Sequence, residues 1–239
     1  LRYLVISDIH ANWEALEAVL EAAKGQYEKI ICCGDLIGYG ADPNKVVAWV
    51  RDNCHAVIRG NHDKAGVDLD GLEWFNPVAK RATIWTHGVL TTENINYVRG
   101  LAMGPLMVED FAMVHGSPLN EDEYLVNLSE AEEAFGYQPA QVVFFGHTHV
   151  QGGFLWRQRK TGRIATVELD LDPGSAYLIN PGSVGQPRDE NPEAAYALFD
   201  SEAQTVSYQR TPYDIETAQG KIREAGLPAV LADRLAIGR

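Results

Sequence analysis

Five short apolar runs punctuate the chain: Tyr3-Leu4-Val5-Ile6, Lys29-Ile30-Ile31-Cys32-Cys33, Ala56-Val57-Ile58, Phe111-Ala112-Met113-Val114 and Gln141-Val142-Val143-Phe144-Phe145. They are too short for helices, and they lack the alternation of a half-exposed strand, so they read as strands buried on both faces. Helical spacing fills the gaps between them. Asn12 caps a helix through Glu14, Leu16, Val19 and Leu20 that stops at Gly25. Asp42-Pro43 opens a second over Asn44 to Asp52, with Pro at the first helical position. Ser129-Glu130-Ala131-Glu132 has capping-box spacing and starts a third, which ends near Gly136. Strand and helix in alternation predict an α/β fold with a parallel sheet.

Two stretches depart from that rhythm. Residues 64–110 contain Asn76-Pro77 before a helix over Val78 to Trp85, and Thr92-Glu93 before another over Asn94 to Arg99. After His149 the pattern turns mainly to strands. Phe154-Leu155-Trp156 and Ile164-Ala165-Thr166-Val167 flank Lys160-Thr161-Gly162, which reads as a hairpin turn. Ala176 to Ile179 is a further strand, and Ala195 to Phe199 pairs with Thr205 to Tyr208 across Asp200 to Gln204. These later strands are expected to form a second sheet packed on the first. Ile215 to Arg223 reads as an amphipathic helix, with a shorter one around Leu231 to Leu235. No linker or internal repeat divides residues 1–239, which read as a single domain with 64–110 inserted near its functional site.

The apolar runs share one property: each ends at a residue that can bind a metal. The first leads to Asp8 and His10, the second to Asp35, and the third to Asn61. The fourth leads to His115 and the fifth to His147 and His149. In an extended chain residues i and i+2 share a face, so Asp8 with His10, and His147 with His149, are expected to grip an ion in pairs. Open α/β sheets hold ligands beyond the carboxyl ends of their strands. Seven candidate ligands exceed the needs of one ion. Two ions sharing a carboxylate fit better, and such pairs favour in-line displacement at phosphorus. Imidazole with carboxylate suits transition metals: manganese is expected first, with iron, zinc, cobalt or nickel as alternatives.

The formal net charge of −13 opposes a dedicated nucleic-acid binder, although a small anion remains acceptable beside two divalent ions. No segment approaches the ~18–20 apolar residues of a membrane span. Cys32, Cys33 and Cys54 have no paired spacing, which points to a reducing, cytoplasmic compartment, and Cys32 and Cys33 read as small apolar residues of a buried strand.

Asp8-x-His10, Gly34-Asp35, Gly60-Asn61-His62-Asp63, His115-Gly116 and Gly146-His147-Thr148-His149 together resemble, in order, the five motifs of the calcineurin-like metallophosphoesterase superfamily. Gly34-Asp35-Leu36-Ile37-Gly38-Tyr39-Gly40 and Asn180-Pro181-Gly182-Ser183-Val184-Gly185 resemble its small bacterial and archaeal phosphodiesterase branch. The resemblance implies an α/β fold of two packed mixed sheets flanked by helices, a four-layer αββα sandwich. It assigns Asp8, His10 and His149 to one metal, Asn61, His115 and His147 to the other, and Asp35 to the bridge. His62 becomes the catalytic histidine, a general acid that is not a ligand, opposite a metal-bridging hydroxide. The Ser/Thr protein phosphatases of the superfamily carry Asp-Arg-Gly where Gly38-Tyr39-Gly40 stands here, which argues against protein phosphatase activity and leaves the group orienting His62 unassigned.

The expected activity is hydrolysis of small soluble phosphodiesters or nucleoside polyphosphates, dinucleoside polyphosphates included. A metal-dependent nuclease is the alternative, and a scaffold without turnover a weaker one, since His62 is retained. Asp63 is expected to cap the chain after its motif, and His55 and His87 to be structural or exposed. Asn12, Arg59, Arg99 and Arg188 are within conceivable reach of a phosphate but are expected in structural or surface roles. Trp74, Phe75, Trp85 or Tyr97 are the aromatic residues on which a substrate's body could rest.

Overall fold

The computed structural model describes residues 1–239. Its first sheet is built on β1 (Arg2–Ile6), flanked in parallel by β2 (Lys29–Cys32) and then β3 (Ala56–Val57). On the other side of β1 lie, antiparallel, β11 (Ala194–Asp200), β12 (Thr205–Thr211) and β9 (Glu168–Asp170). The second sheet has the order β4 (Leu106–Val108), β5 (Phe111–Met113), β6 (Val142–Phe144), β10 (Ser175–Asn180), β7 (Gly152–Arg157) and β8 (Lys160–Arg163). Both sheets are six-stranded and mixed. The strands after His149 therefore do not make a sheet of their own. They are shared between the two, three completing each.

Side-chain alternation along β1 shows why its apolar run is continuous. Tyr3 and Val5 face the other sheet, joining Phe111, Phe144 and Phe199 in a core between the layers. Leu4 and Ile6 face the opposite way, onto α1 (Trp13–Ala22) and α2 (Pro43–Asn53). Tyr3 meets Phe111 edge-on at 5.1 Å, and Phe111 meets Phe144 and Phe199 at 5.6 and 5.3 Å. Such pairs add roughly 0.5–1.5 kcal/mol each beyond burial. The outer face of the second sheet is covered by α6 (Leu128–Phe135) through Ala131 and Ala134. Helix, sheet, sheet and helix are the four layers expected.

Local differences follow from side-chain and turn chemistry. Asn127, not Ser129, caps α6: its side chain accepts from Ser129 and Glu130 N–H groups while Glu130 reaches back to Asn127 N–H. Asp42 makes no capping bond, because its carboxylate is taken by Lys221. The first helix ends before Gly25, at Ala22. The hairpin turn lies at Gln158-Arg159, both at positive φ, and Lys160-Thr161-Gly162 belongs to β8. A two-residue turn of that geometry normally advertises itself with Asn or Gly, and neither is present. Ile164 to Thr166 consequently lies outside any strand.

The stretch 64–110 contains the end of α3 (Asn61–Asp68), a single 3-10 turn (Leu72–Trp74), α4 (Pro77–Val89), α5 (Thr92–Arg99) and β4. Leu90 and Val98 enter the main core. The last elements, α7 (Ile215–Glu224), α8 (Ala229–Asp233) and a closing 3-10 turn (Arg234–Ile237), pack with α4 around Tyr39. No helix is long and apolar enough to cross a membrane.

Candidate metal centre

The segments that leave β1, β2, β3, β5 and β6 converge at one end of the two sheets. There the backbone does not continue extended. Asp8, His10, Ala11, Asp35, Tyr39, His147 and His149 all have φ between 48° and 64°, the left-handed region disfavoured for residues with a Cβ. Such conformations cost of order 1–3 kcal/mol each and persist where surrounding contacts dictate them. Asp8 and His10 do share one group as expected, though not on extended backbone, while the pairing expected of His147 with His149 is corrected. His147 and His149 diverge into different groups.

Asp8, His10, Asp35 and His149 form one group and Asp35, His115 and His147 the other, each with its ligand atoms within 4.8 Å of one another. Asp35 is common to both: its Oδ2 is 3.5 Å from His10 Nε2 and 3.4 Å from His115 Nε2. That oxygen is buried and accepts no hydrogen bond, while Oδ1 is engaged by the His62 amide at 2.9 Å. Asn61 Oδ1 lies 3.2 Å from His115 Nε2, on the second group.

The imidazoles are oriented from behind. Nδ1 of His10 donates to Ile37 O at 2.9 Å, Nδ1 of His115 to Cys33 O at 2.7 Å, and Nδ1 of His149 to Gln186 O at 2.6 Å. Each bond fixes the tautomer and turns Nε2, with its lone pair, inward. Nε2 of His10 and Nε2 of His149 then face each other at 3.1 Å. Two acceptors at that distance repel unless a cation lies between them. His147 Nε2 is also buried with no protein partner. This donor set fits transition-metal ions, whose nitrogen and oxygen ligands stand about 2.0–2.2 Å from the ion.

Burial is outweighed at His115 by the Asp35 carboxylate, which raises that group to about 10, whereas at His10, His147 and His149 burial prevails. It lowers His10 and His149 well below the ordinary imidazole value and His147 to about 3, keeping them as neutral bases. Burial likewise raises Asp8 to about 7. Asp35 is pushed up by burial, yet the surrounding imidazoles, His115 foremost, hold it well below its ordinary value.

A family model for the calcineurin-like phosphoesterase superfamily domain matches residues 1–204. The chain belongs to that superfamily. It is 38% identical over 251 aligned positions to the uncharacterized protein MJ0912 of Methanocaldococcus jannaschii, covering 98% of this chain and 97% of that protein. The phosphodiesterase YfcE of Escherichia coli is 24% identical over 217 positions, 86% of this chain and 91% of that one. Among solved structures, a metallophosphoesterase from Sphaerobacter thermophilus superposes with a TM-score of 0.88 at 40% identity, covering 100% of this chain and 99% of its own. The chain is accordingly a metal-dependent phosphoester hydrolase.

Within this phosphoesterase centre His62 is held by packing. Its ring lies 4.4 Å from that of Tyr39, 4.8 Å from Phe75 and 5.0 Å from His10. Its Nδ1 is buried with no hydrogen-bond partner, over Gly38. Burial lowers its basicity to about 4. Asp63 does more than cap α3. Oδ2 accepts from Gly60 N at 2.9 Å, and Oδ1 accepts from Leu36 N and Ile37 N at 2.8 and 3.3 Å, tying the Asp35 loop to the Asn61 loop.

A cavity of about 550 Å³ opens beside His62, Asn61 and His147. Trp74, 86% exposed, and Phe75 line it, as do Tyr39 and Tyr124. Trp85 and Tyr97 do not: they pack against α7–α8 and the main core respectively, where apolar burial claims them. Asn12 caps α1 and holds Gly185 O, Arg59 makes a paired contact with Glu121, and Arg99 binds Asp68. Arg188 alone of the four reaches the centre, touching the Tyr39 hydroxyl at 3.4 Å. Sequence reasoning undervalued it because a lone Arg in a loop carries no pattern. His55 is exposed near Lys29, and His87 binds Gly66 O, both away from the centre.

Proposed function

We propose that the chain hydrolyses small phosphodiesters or nucleoside polyphosphates at a pair of divalent ions. Asp8, His10 and His149 would hold one ion, Asn61, His115 and His147 the other, with Asp35 shared. The opposed lone pairs of His10 and His149, 3.1 Å apart, carry this reading, because only a cation makes that contact favourable. Manganese is the first choice for a mixed imidazole, carboxylate and amide set. When bound, the ions activate the attacking water and neutralise the oxygens of the phosphoryl group.

The chain's own groups do the rest. Ile37 O, Cys33 O and Gln186 O accept from Nδ1 of three imidazoles and so aim each Nε2 at the centre. His62 delivers a proton from Nε2 to the departing oxygen, since its Nδ1 is enclosed without a partner. The ring must be cationic at that moment, and the negative charge of the substrate favours this form. Burial by Tyr39 and Phe75 excludes water from the ring's faces. Residues 64–110 set access, because Trp74 and Phe75 form one wall of the cavity where a nucleoside or other organic body would rest.

The test is a panel of monoesters, diesters, dinucleoside polyphosphates and duplex DNA or RNA offered to metal-reconstituted protein. Turnover of the diesters and polyphosphates is expected. Cleavage of nucleic acid at low protein concentration with small esters ignored overturns the proposal in favour of a nuclease.

A further inference from the structure

Gln186 holds two arginines at once. Its side-chain Oε1 accepts from Arg188 Nη2 at 3.0 Å and from Arg234 Nη1 at 3.3 Å, while its backbone carbonyl holds His149 Nδ1 at 2.6 Å. Two guanidiniums from distant parts of the chain therefore converge on one neutral amide oxygen, immediately behind a candidate metal ligand. Neither makes an ion pair with a carboxylate, whereas Arg59, Arg99, Arg210 and Arg223 each do. The Nε of both Arg188 and Arg234 is buried and has no acceptor. Burial and then the Arg188 charge lower the basicity of Arg234, so the two cations repel.

Stability does not explain this arrangement. A buried donor without a partner costs about 1–3 kcal/mol, and like charges at close range add to that. With 33 Asp and Glu residues in the chain, a carboxylate partner would be the ordinary solution. What the two guanidiniums lack is an acceptor from outside the chain. Arg188 also reaches the Tyr39 hydroxyl at 3.4 Å, and Tyr39 both lines the cavity and lies against His62. Arg188 thus borders the reaction centre, and Arg234 stands beside it across Gln186 Oε1.

We propose that Arg188 and Arg234 form a second anion subsite that takes the phosphate next in line to the one being cleaved, so that the preferred substrate carries phosphates in series. This rests on the phosphoesterase reading of the centre above. Each guanidinium can offer a two-pronged donor set to a phosphate, and an anion between them relieves their repulsion. A simple diester has no group to place there, whereas a nucleoside polyphosphate does. The 3-10 turn that ends the chain, outside every motif, thereby takes part in substrate choice.

The test compares kcat/KM for a dinucleoside tetraphosphate and for bis(4-nitrophenyl) phosphate in the wild type, Arg234→Gln and Arg234→Lys, with metal content and melting temperature measured in parallel. The expected result for Arg234→Gln is a loss on the tetraphosphate at least about tenfold larger than on the diester, expressed in KM, with Arg234→Lys recovering part of it. If Arg234→Gln does not fold, Arg234→Lys, which keeps the charge but loses the fork, should show a smaller loss of the same sign. Equal losses on both substrates, or a wild type that turns over the diester and not the tetraphosphate, overturn the subsite alone. So does inorganic phosphate altering diester turnover in an Arg234-dependent way while the tetraphosphate preference is untouched, which would make the occupant a free anion. A wild type inactive on both esters overturns the substrate class proposed above as well.

Discussion

Gly38 lies directly against the imidazole of His62: a Cβ placed on it would meet His62 Nδ1 at 2.6 Å. At φ +90° the position also suits glycine on backbone grounds. This is the point at which the protein phosphatases of the superfamily carry an acidic residue, by the resemblance of the motif. Here the ring is seated on bare backbone and walled by Tyr39 and Phe75. Gly38→Ala should displace the ring and reduce turnover while both ions remain bound. Metal analysis and steady-state kinetics check it together. Normal turnover in a folded Gly38→Ala protein would show that the ring's seat is unimportant.

His62→Ala should keep its metal and lose about 10²- to 10⁴-fold in kcat, the range of general acid catalysis. The loss should shrink for esters whose leaving group departs without a proton, such as a nitrophenolate. Stoichiometric loss of metal in this variant would instead make His62 a ligand.

Asp35 and Asn61 should differ in metal titration by calorimetry. Asp35→Asn should weaken both ions, because Oδ2 stands 3.5 and 3.4 Å from Nε2 atoms of the two groups. Asn61→Ala should weaken chiefly one, since Asn61 faces only the His115 side. Equal two-site damage from both substitutions contradicts the shared-carboxylate arrangement.

Asp63→Ala leaves the amides of Gly60, Leu36 and Ile37 without acceptors in a fully buried place. A destabilisation of about 2–5 kcal/mol is expected in denaturant titration, with weaker metal binding because two ligand-bearing loops lose their tie. A loss below about 1 kcal/mol would mean that water or a shifted backbone replaces the carboxylate readily.

Trp74→Ala tests the cavity wall. The side chain is 86% exposed, so its removal should leave stability and metal content nearly intact. If a base or other ring rests there, KM for nucleotide-bearing substrates should rise by the equivalent of about 1–3 kcal/mol, while small nitrophenyl esters are little affected. A parallel change in KM for both kinds of ester argues against the contact.

Much of this was legible from the order of residues. Runs such as Tyr3 to Ile6 and Val142 to Phe145 declared doubly buried strands, because a strand covered on both sides has no polar alternate position. Asn12 and Asn76 announced their helices, since a cap depends only on residues two or three positions away. The residues gathered at the centre were nameable for the same reason: each follows its strand within a few positions. Their division into two groups was different. In the chain itself it came only from resemblance, and in space it arises because His147 and His149 sit on left-handed backbone that sends neighbouring side chains apart. The turn at Gln158-Arg159 escaped notice because strand pairing imposes a conformation that its residues do not advertise. The seat of His62 on Gly38, the hold of Asp63 on Leu36 and Ile37, and the meeting of Arg234 with Gln186 span from 24 to 48 positions of sequence. Local propensity and periodicity act over a turn or a strand. Contacts at such separations exist only once the two sheets close on each other and the last helices pack against Tyr39.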